Sequence, residues 1–356
     1  MEGIYLYAIT GGTLHLGPDV HGLPDGTTRV STLTIADLTA VVSPYSGPSF
    51  DDLPRAEILQ NLLAHQRVLE QVLPEQTVLP VKFGTVLPAE RTIEAALERY
   101  RPRLTDALHE VGDAVEIDLS VAWDSAAILN EISHEPDVRA MVSAVTGSGQ
   151  QGDVATQISI GQLVHETLGR RRQELRRSML DDLLPLARDA EPSPVPADEL
   201  VLNVAFLVDR PQLREFEATV DRLGTRHGDR LTFRYVGPLP PYSFATVVIG
   251  QPNSDEIGSA ARALDLGEQF TRGDLRAAYR RRAAETHPDV QPDDTGRQHH
   301  FTEITAAHDS LEKYVASLET GSGAGGDVTY DVRPEVLASQ VTLRIVRGDE
   351  SGALET

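Results

Sequence analysis

The chain has 356 residues, 40% of them hydrophobic, a formal net charge of -22 and no cysteine. The missing thiols exclude disulfides, cysteine nucleophiles and cysteine-based zinc sites, and the excess acid opposes nucleic-acid phosphates and anionic lipid. No stretch approaches the ~18–20 apolar residues of a membrane span, and Met1-Glu2-Gly3-Ile4-Tyr5 lacks the basic-then-apolar order of a signal peptide, so a cytoplasmic location is expected, with no membrane or nucleic-acid partner.

In chain order, residues 3–9 predict a strand, followed by a Gly/Pro/Asp-rich loop and short strands at 30–33 and 38–42. Pro54 opens a helix with Ile58, Leu62, Leu69 and Leu73 at apolar spacing, and Pro74 ends it. Residues 78–86 read as a buried strand, with Pro80 marking an edge or bulge and Gly84 a close backbone approach. After Pro88 a second helix presents Ile93, Leu97, Leu104 and Leu108. Residues 114–123 alternate: Val115, Ile117, Leu119, Val121 and Trp123 on one face, Glu116, Asp118 and Ser120 on the other, the pattern of a half-buried strand with its acids in solvent.

Helices are expected at 126–145 and 155–184, separated by a turn at Gly147-Ser148-Gly149. The second carries Arg170, Arg171, Arg172, Arg176 and Arg177 among acids, a solvated face. Residues 191–196 form a stiff proline connector. Strands at 200–208 and 231–236, a helix at 212–223, the turn Gly237-Pro238-Leu239-Pro240-Pro241-Tyr242 and a strand at 244–249 make a second α+β unit. From Leu264 the chain is helical through about Leu318; a Gly/Ser stretch at 321–326 leads to one strand at 341–346.

Five pieces occur in a fixed order: Ile4-Tyr5-Leu6-Tyr7; Leu59-Gln60-Asn61-Leu62-Leu63-Ala64-His65-Gln66-Arg67-Val68-Leu69-Glu70; Thr77-Val78-Leu79-Pro80-Val81-Lys82-Phe83-Gly84-Thr85-Val86; the strand 116–123; and Tyr235-Val236-Gly237-Pro238-Leu239-Pro240-Pro241-Tyr242-Ser243-Phe244. This set resembles the gas vesicle protein F/L family over the first 250 or so residues. The resemblance implies two α+β domains, no enzymatic activity, no cofactor, and a role as a minor or accessory component in building gas vesicles. It also implies binding to the small apolar shell protein and to other gas vesicle accessory proteins. Within these pieces His65 reads as a hydrogen-bonded packing residue, Lys82 and Phe83 as strand residues, and the proline run as a rigid turn.

A second signature lies in 264–311. Thr271 and Asp274 have the spacing of a capping box; Leu275, Ala278, Tyr279 and Ala283 share a helix face, and Pro288 must end that helix. Phe301, Ile304, His308 and Leu311 form a second stripe. The pair of helices looks like a J domain, the co-chaperone module that stimulates DnaK-type ATPases. Its tripeptide maps onto His287, Pro288 and Asp289, and its basic helix onto Arg276, Arg280, Arg281 and Arg282, as the DnaK contact. Glu285, Thr286 and His308 depart from the usual residues. A metal site at His287, His299, His300 and His308 is the rival reading, and scattered loop histidines argue against it.

The expected fold class is α+β, with two ferredoxin-like sandwich domains plus a C-terminal helical J-like hairpin. The expected divisions are 1–124, a helical and proline-rich region at 125–196 packed with a second domain at 197–252, J-like helices at 262–318 and a flexible tail at 319–356. The alternative function is a co-chaperone of a DnaK-type ATPase serving other clients.

Overall fold

The computed structural model describes residues 2–17, 19–23, 26–136, 138–140, 143, 154–193, 200–286, 295–319, 328–337 and 340–348. These form the expected α+β structure, with antiparallel sheets accompanied by helices. The chain divides into two compact units, Met1–Glu110 with Ala245–Thr356, and Val111–Phe244. The first is discontinuous, whereas the sequence had suggested contiguous blocks.

The first unit is built on Glu2–Gly11 (β1), Ser31–Ile35 (β2), Leu38–Ser46 (β3), Arg55–Val72 (α1), Val78–Pro80 (β4), Val86–Leu87 (β5) and Glu90–Val111 (α2). The sheet order is β2-β3-β1-β4, and β5 also pairs with β1. β1 is paired on both edges, and Tyr5 through Ile9, which alternate between its two faces, are all fully buried, so both faces are covered as well. On α1 the buried residues Asn61, Ala64, His65, Val68, Leu69 and Val72 recur at helical spacing.

The single strand expected at 78–86 is two short strands. Between them the chain turns at Gly84, whose φ is 83°, and the Gly84 N–H donates to the Tyr5 hydroxyl at 3.0 Å. His65 is 1% exposed, its Nδ1 2.9 Å from the same hydroxyl, and its ring stacks on Tyr7. Burial holds its pKa down to about 3, so the imidazole is neutral.

The second unit comprises Ala114–Trp123 (β6), Ser125–Ser133 (α3), Val154–Leu183 (α4), Asp189–Pro192 (β7), Leu200–Asp209 (β8), Leu213–His227 (α5) and Leu231–Leu239 (β9). Its sheet order is β9-β6-β8-β7, all antiparallel. Counted within the unit this is a β-α-β-β-α-β chain in the order fourth, first, third, second, the ferredoxin-like arrangement. Phe206, paired with Ile117 across the sheet, meets Phe216 of α5 with ring centroids 5.2 Å apart. The odd-numbered face of β6 is therefore the one under the helices.

Two local expectations need correction here. The helix foreseen at 126–145 breaks at His134, its C-cap, and resumes at Pro136; proline cannot continue a helix but fits its first turn. The start of the foreseen proline connector is instead β7, a short edge strand with Glu191 and Pro192, both of which discourage further pairing. The turn at 147–149, residues 194–199 and the stretch at 321–326 lie outside the described residues.

The chain then returns to the first unit. Thr246–Gly250 (β10) pairs antiparallel with Thr342–Val346 (β13), and Val247 bridges Val81 next to β4, with the Lys82 N–H donating to the Val247 carbonyl at 2.9 Å. The strand assigned by sequence to the second α+β unit thus lies in the first unit, in a two-stranded sheet bridged to the chain beside β4, and part of the foreseen flexible tail supplies its partner.

Candidate functional site

Between β10 and β13 the first unit carries Ser254–Ala263 (α6), Gln269–Thr271 (β11), Arg272–Thr286 (α7), Thr295–Leu318 (α8) and Thr329–Asp331 (β12). Asn253 caps α6 by accepting from the Asp255 and Glu256 N–H groups. The capping box of α7 is reciprocal: the Thr271 N–H donates to Asp274 Oδ2 at 2.9 Å, and the Asp274 N–H donates to Thr271 Oγ1 at 3.1 Å. The Thr271 N–H, and the Thr271 hydroxyl donating to the same oxygen at 2.8 Å, hold the Asp274 carboxyl below the usual range.

The helices share one apolar core. Leu264, Leu275, Ile304, Leu311 and Val315 are fully buried in it, with Ala278 beside them and Tyr330 closing one side. His308 lies flat on Tyr279, with centroids 4.2 Å apart; the polar interruption in the stripe is thus a stacking partner.

The four arginines foreseen as a DnaK contact do not behave alike. Arg276 is 64% exposed and 3.9 Å from Glu312. Arg281 is also exposed, 3.9 Å from Asp265, and Arg280 donates Nε to the Arg276 carbonyl at 3.3 Å. Arg282 turns back into the module, with Nε donating to the Ala263 carbonyl at 3.3 Å and Nη1 to Glu285 at 3.2 Å. Arg276, Arg280 and Arg281 remain in solvent as the accessible cationic side of α7. His287, Pro288 and Asp289 lie outside the described residues.

Arg272, which sequence reasoning passed over, anchors the hairpin, donating to Glu312 at 2.8 Å and to Glu319 at 2.7 Å. Arg103 of α2 was missed too: its Nη1 donates to the carbonyls of Ala316, Glu319 and Leu343 at 2.9, 3.3 and 3.1 Å. Tyr100 adds a bond to the Val341 carbonyl at 2.8 Å. No local pattern marks a side chain whose acceptors lie more than 200 positions away, so the roles of Arg103 and Tyr100 could not be read in advance.

A second feature is apolar. On α1, Leu59 is 50% and Leu63 45% exposed, four residues apart on one helix face, beside the half-buried Ile58 and Leu62. No acid lies between Glu57 and Glu70. Among the described residues no group of three or more His, Asp or Glu side chains is placed to hold a metal, and no helix is long and apolar enough to cross a membrane.

The family model described as gas vesicle synthesis protein GvpL/GvpF matches residues 3–246. The chain belongs to this family. A DnaJ domain model matches residues 262–315, the span of the helical module. Gas vesicle protein F of Streptomyces sp. (strain CB03234) is 28% identical over 67% of this chain and 98% of its own length. Gas vesicle protein F of Microcystis aeruginosa is 28% identical over 52% of this chain and 78% of its own. The crystal structure of GvpF from Anabaena sp. PCC7120 superposes with a TM-score of 0.60 at 25% identity, covering 68% of this chain and 98% of that one. The chain is thus a GvpF/GvpL-type gas vesicle accessory protein with a DnaJ-type module on the C-terminal side.

Proposed function

We propose that this GvpF/GvpL-type chain binds the small apolar shell protein of the gas vesicle, holds it soluble until incorporation, and enlists a DnaK-type ATPase through its DnaJ-type helices. It works in the cytoplasm and at the vesicle beside other gas vesicle proteins, and catalyses no reaction itself. Family membership supports the vesicle role. The observation that carries client binding is the exposed pair Leu59 and Leu63 on an acid-free helix face in a chain of net charge -22. Covering the exposed half of each leucine yields about 1 kcal/mol, and the surrounding negative charge keeps the complex dispersed.

Co-expression with a shell protein tests this reading. Soluble shell protein should rise with the wild-type chain and fall back with the Leu59→Glu, Leu63→Glu double variant, whose fold should be intact because both sites are exposed. Equal solubility with and without this chain would end the client-binding proposal.

A second reading, a DnaK co-chaperone serving other clients, is favoured by the exposed Arg276, Arg280 and Arg281. His287→Gln separates the two: if ATPase stimulation is lost and vesicles still form, the DnaJ-type module serves something other than vesicle assembly.

A further inference from the structure

The alternation of β6 places Glu116, Asp118 and Ser120 away from the helices, yet Glu116 is only 2% exposed. Its cover is the segment 240–244 that follows β9 and ends the second unit. The Ser243 N–H donates to Glu116 Oε2 at 2.7 Å and the Ser243 hydroxyl to Oε1 at 2.9 Å. Phe244 completes the lid, packing in a small cluster with Ala114, Ala205 and Leu207. Before it, Gly237 of β9, with φ at 152°, sits so close to β6 that a Cβ there would lie 2.6 Å from Ile117 Cδ1 and 3.0 Å from the Glu116 carbonyl oxygen.

The charged groups around Glu116 are mostly acids. Asp118 follows two positions on along the same strand face. Through the pairs Glu116–Leu207–Asp189 and Asp118–Ala205–Glu191, strand β7 adds Asp189 and Glu191 to that face. Arg234 of β9 acts on Asp118, and the covering segment contributes one titratable side chain, Tyr242. Burial first, and the Asp118 charge second, push the Glu116 carboxyl up to about 8, against the pull of the two Ser243 bonds.

We propose that Glu116 is a proton-operated latch: protonated, it closes segment 240–244 over the outer face of this sheet through Ser243; ionised beside Asp118, it releases that segment to water. Loss of the proton to solvent leaves two neighbouring carboxylates under a lid, and the cheapest relief for a buried charge is hydration, which requires the lid to lift. The open state carries Glu116 with an ordinary carboxylate pKa, so closing takes up a proton between about pH 4.5 and 8. Closure is therefore favoured at the acid end of this window and fades as pH rises through it.

The test is amide exchange on the full chain, read as protection factors corrected for the intrinsic pH dependence of exchange. The Ser243 amide should lose roughly tenfold protection per pH unit as pH rises between about 5 and 8, then level off. Glu116→Gln, which keeps the shape and the acceptor but cannot ionise, should show a flat profile. Asp118→Asn, which removes the repelling neighbour, should shift the falling part to lower pH. A flat wild-type profile, or a slope that survives Glu116→Gln, overturns the latch; if Glu116→Gln does not fold, an unmoved profile in Asp118→Asn does so instead.

Discussion

Nη1 of Arg103 lies 2.9 Å from the carbonyl oxygen of Ala316, so one guanidinium of α2 donates to a carbonyl in the last turn of α8. The last carbonyls of a helix have no intrahelical donor, and here the same Nη1 also serves Glu319 and Leu343. The DnaJ-type helices are tied by this contact to the helix that follows the N-terminal strands. Replacing Arg103 with Met should cost about 2–3 kcal/mol, because several acceptors lose their donor together. Urea unfolding gives the total, and amide exchange should be faster first around residues 314–319 and 341–346.

His65 sets an acid limit on the first unit. Its folded pKa is about 3, below the ordinary 6.5, so the unfolded chain binds the extra proton between these values. The resulting stability is present above about pH 6.5 and declines as pH falls toward 3, at up to about 1.4 kcal/mol per pH unit. His65→Phe should flatten that slope while costing stability at pH 7 through the lost Tyr5 contact. Urea midpoints at pH 4.5 and 7 measure both effects.

Gly237→Ala should destabilise the end of β9 and the segment that follows it by about 1–3 kcal/mol through overpacking against Ile117 and the Glu116 backbone, compounded by its φ of 152°. The loss should appear as weaker protection at Ser243, with α5 and β8 unaffected at equal denaturant activity.

Thr271→Ala removes one side of the α7 capping box and should cost about 1 kcal/mol. Loss of ATPase stimulation out of proportion to that small change would place the start of α7 in the DnaK contact itself; circular dichroism and a DnaK ATPase assay together decide this.

What could be read in the sequence was local. Thr271 and Asp274, three apart, announce their own bonds, and the stripe through Ile304 and Leu311 announces its core. Pro136 was equally local and was missed, although it divides the helix after β6. Alternation along β6 showed which residues share a face but not whether that face is covered. The cover of Glu116 comes from Ser243, 127 positions later, and no spacing rule reaches so far. The partner of β10 was hidden for the same reason, since β13 lies on the far side of the helical module. Among the residues expected to contact DnaK, the helix could be foreseen, while the inward turn of Arg282 toward Ala263 depended on how α6 and α7 meet.

The discontinuity of the first unit has a consequence for how the chain is made. Residues emerge from the ribosome in order, and domains tend to fold as they emerge. The second unit, Val111–Phe244, is contiguous and complete before the strand Thr246–Gly250 has been synthesised. Arg103 must wait for Ala316, 213 positions downstream. The N-terminal strands and α1 thus spend most of translation without their last partners, and the DnaJ-type helices arrive at the moment they close the unit that was begun first.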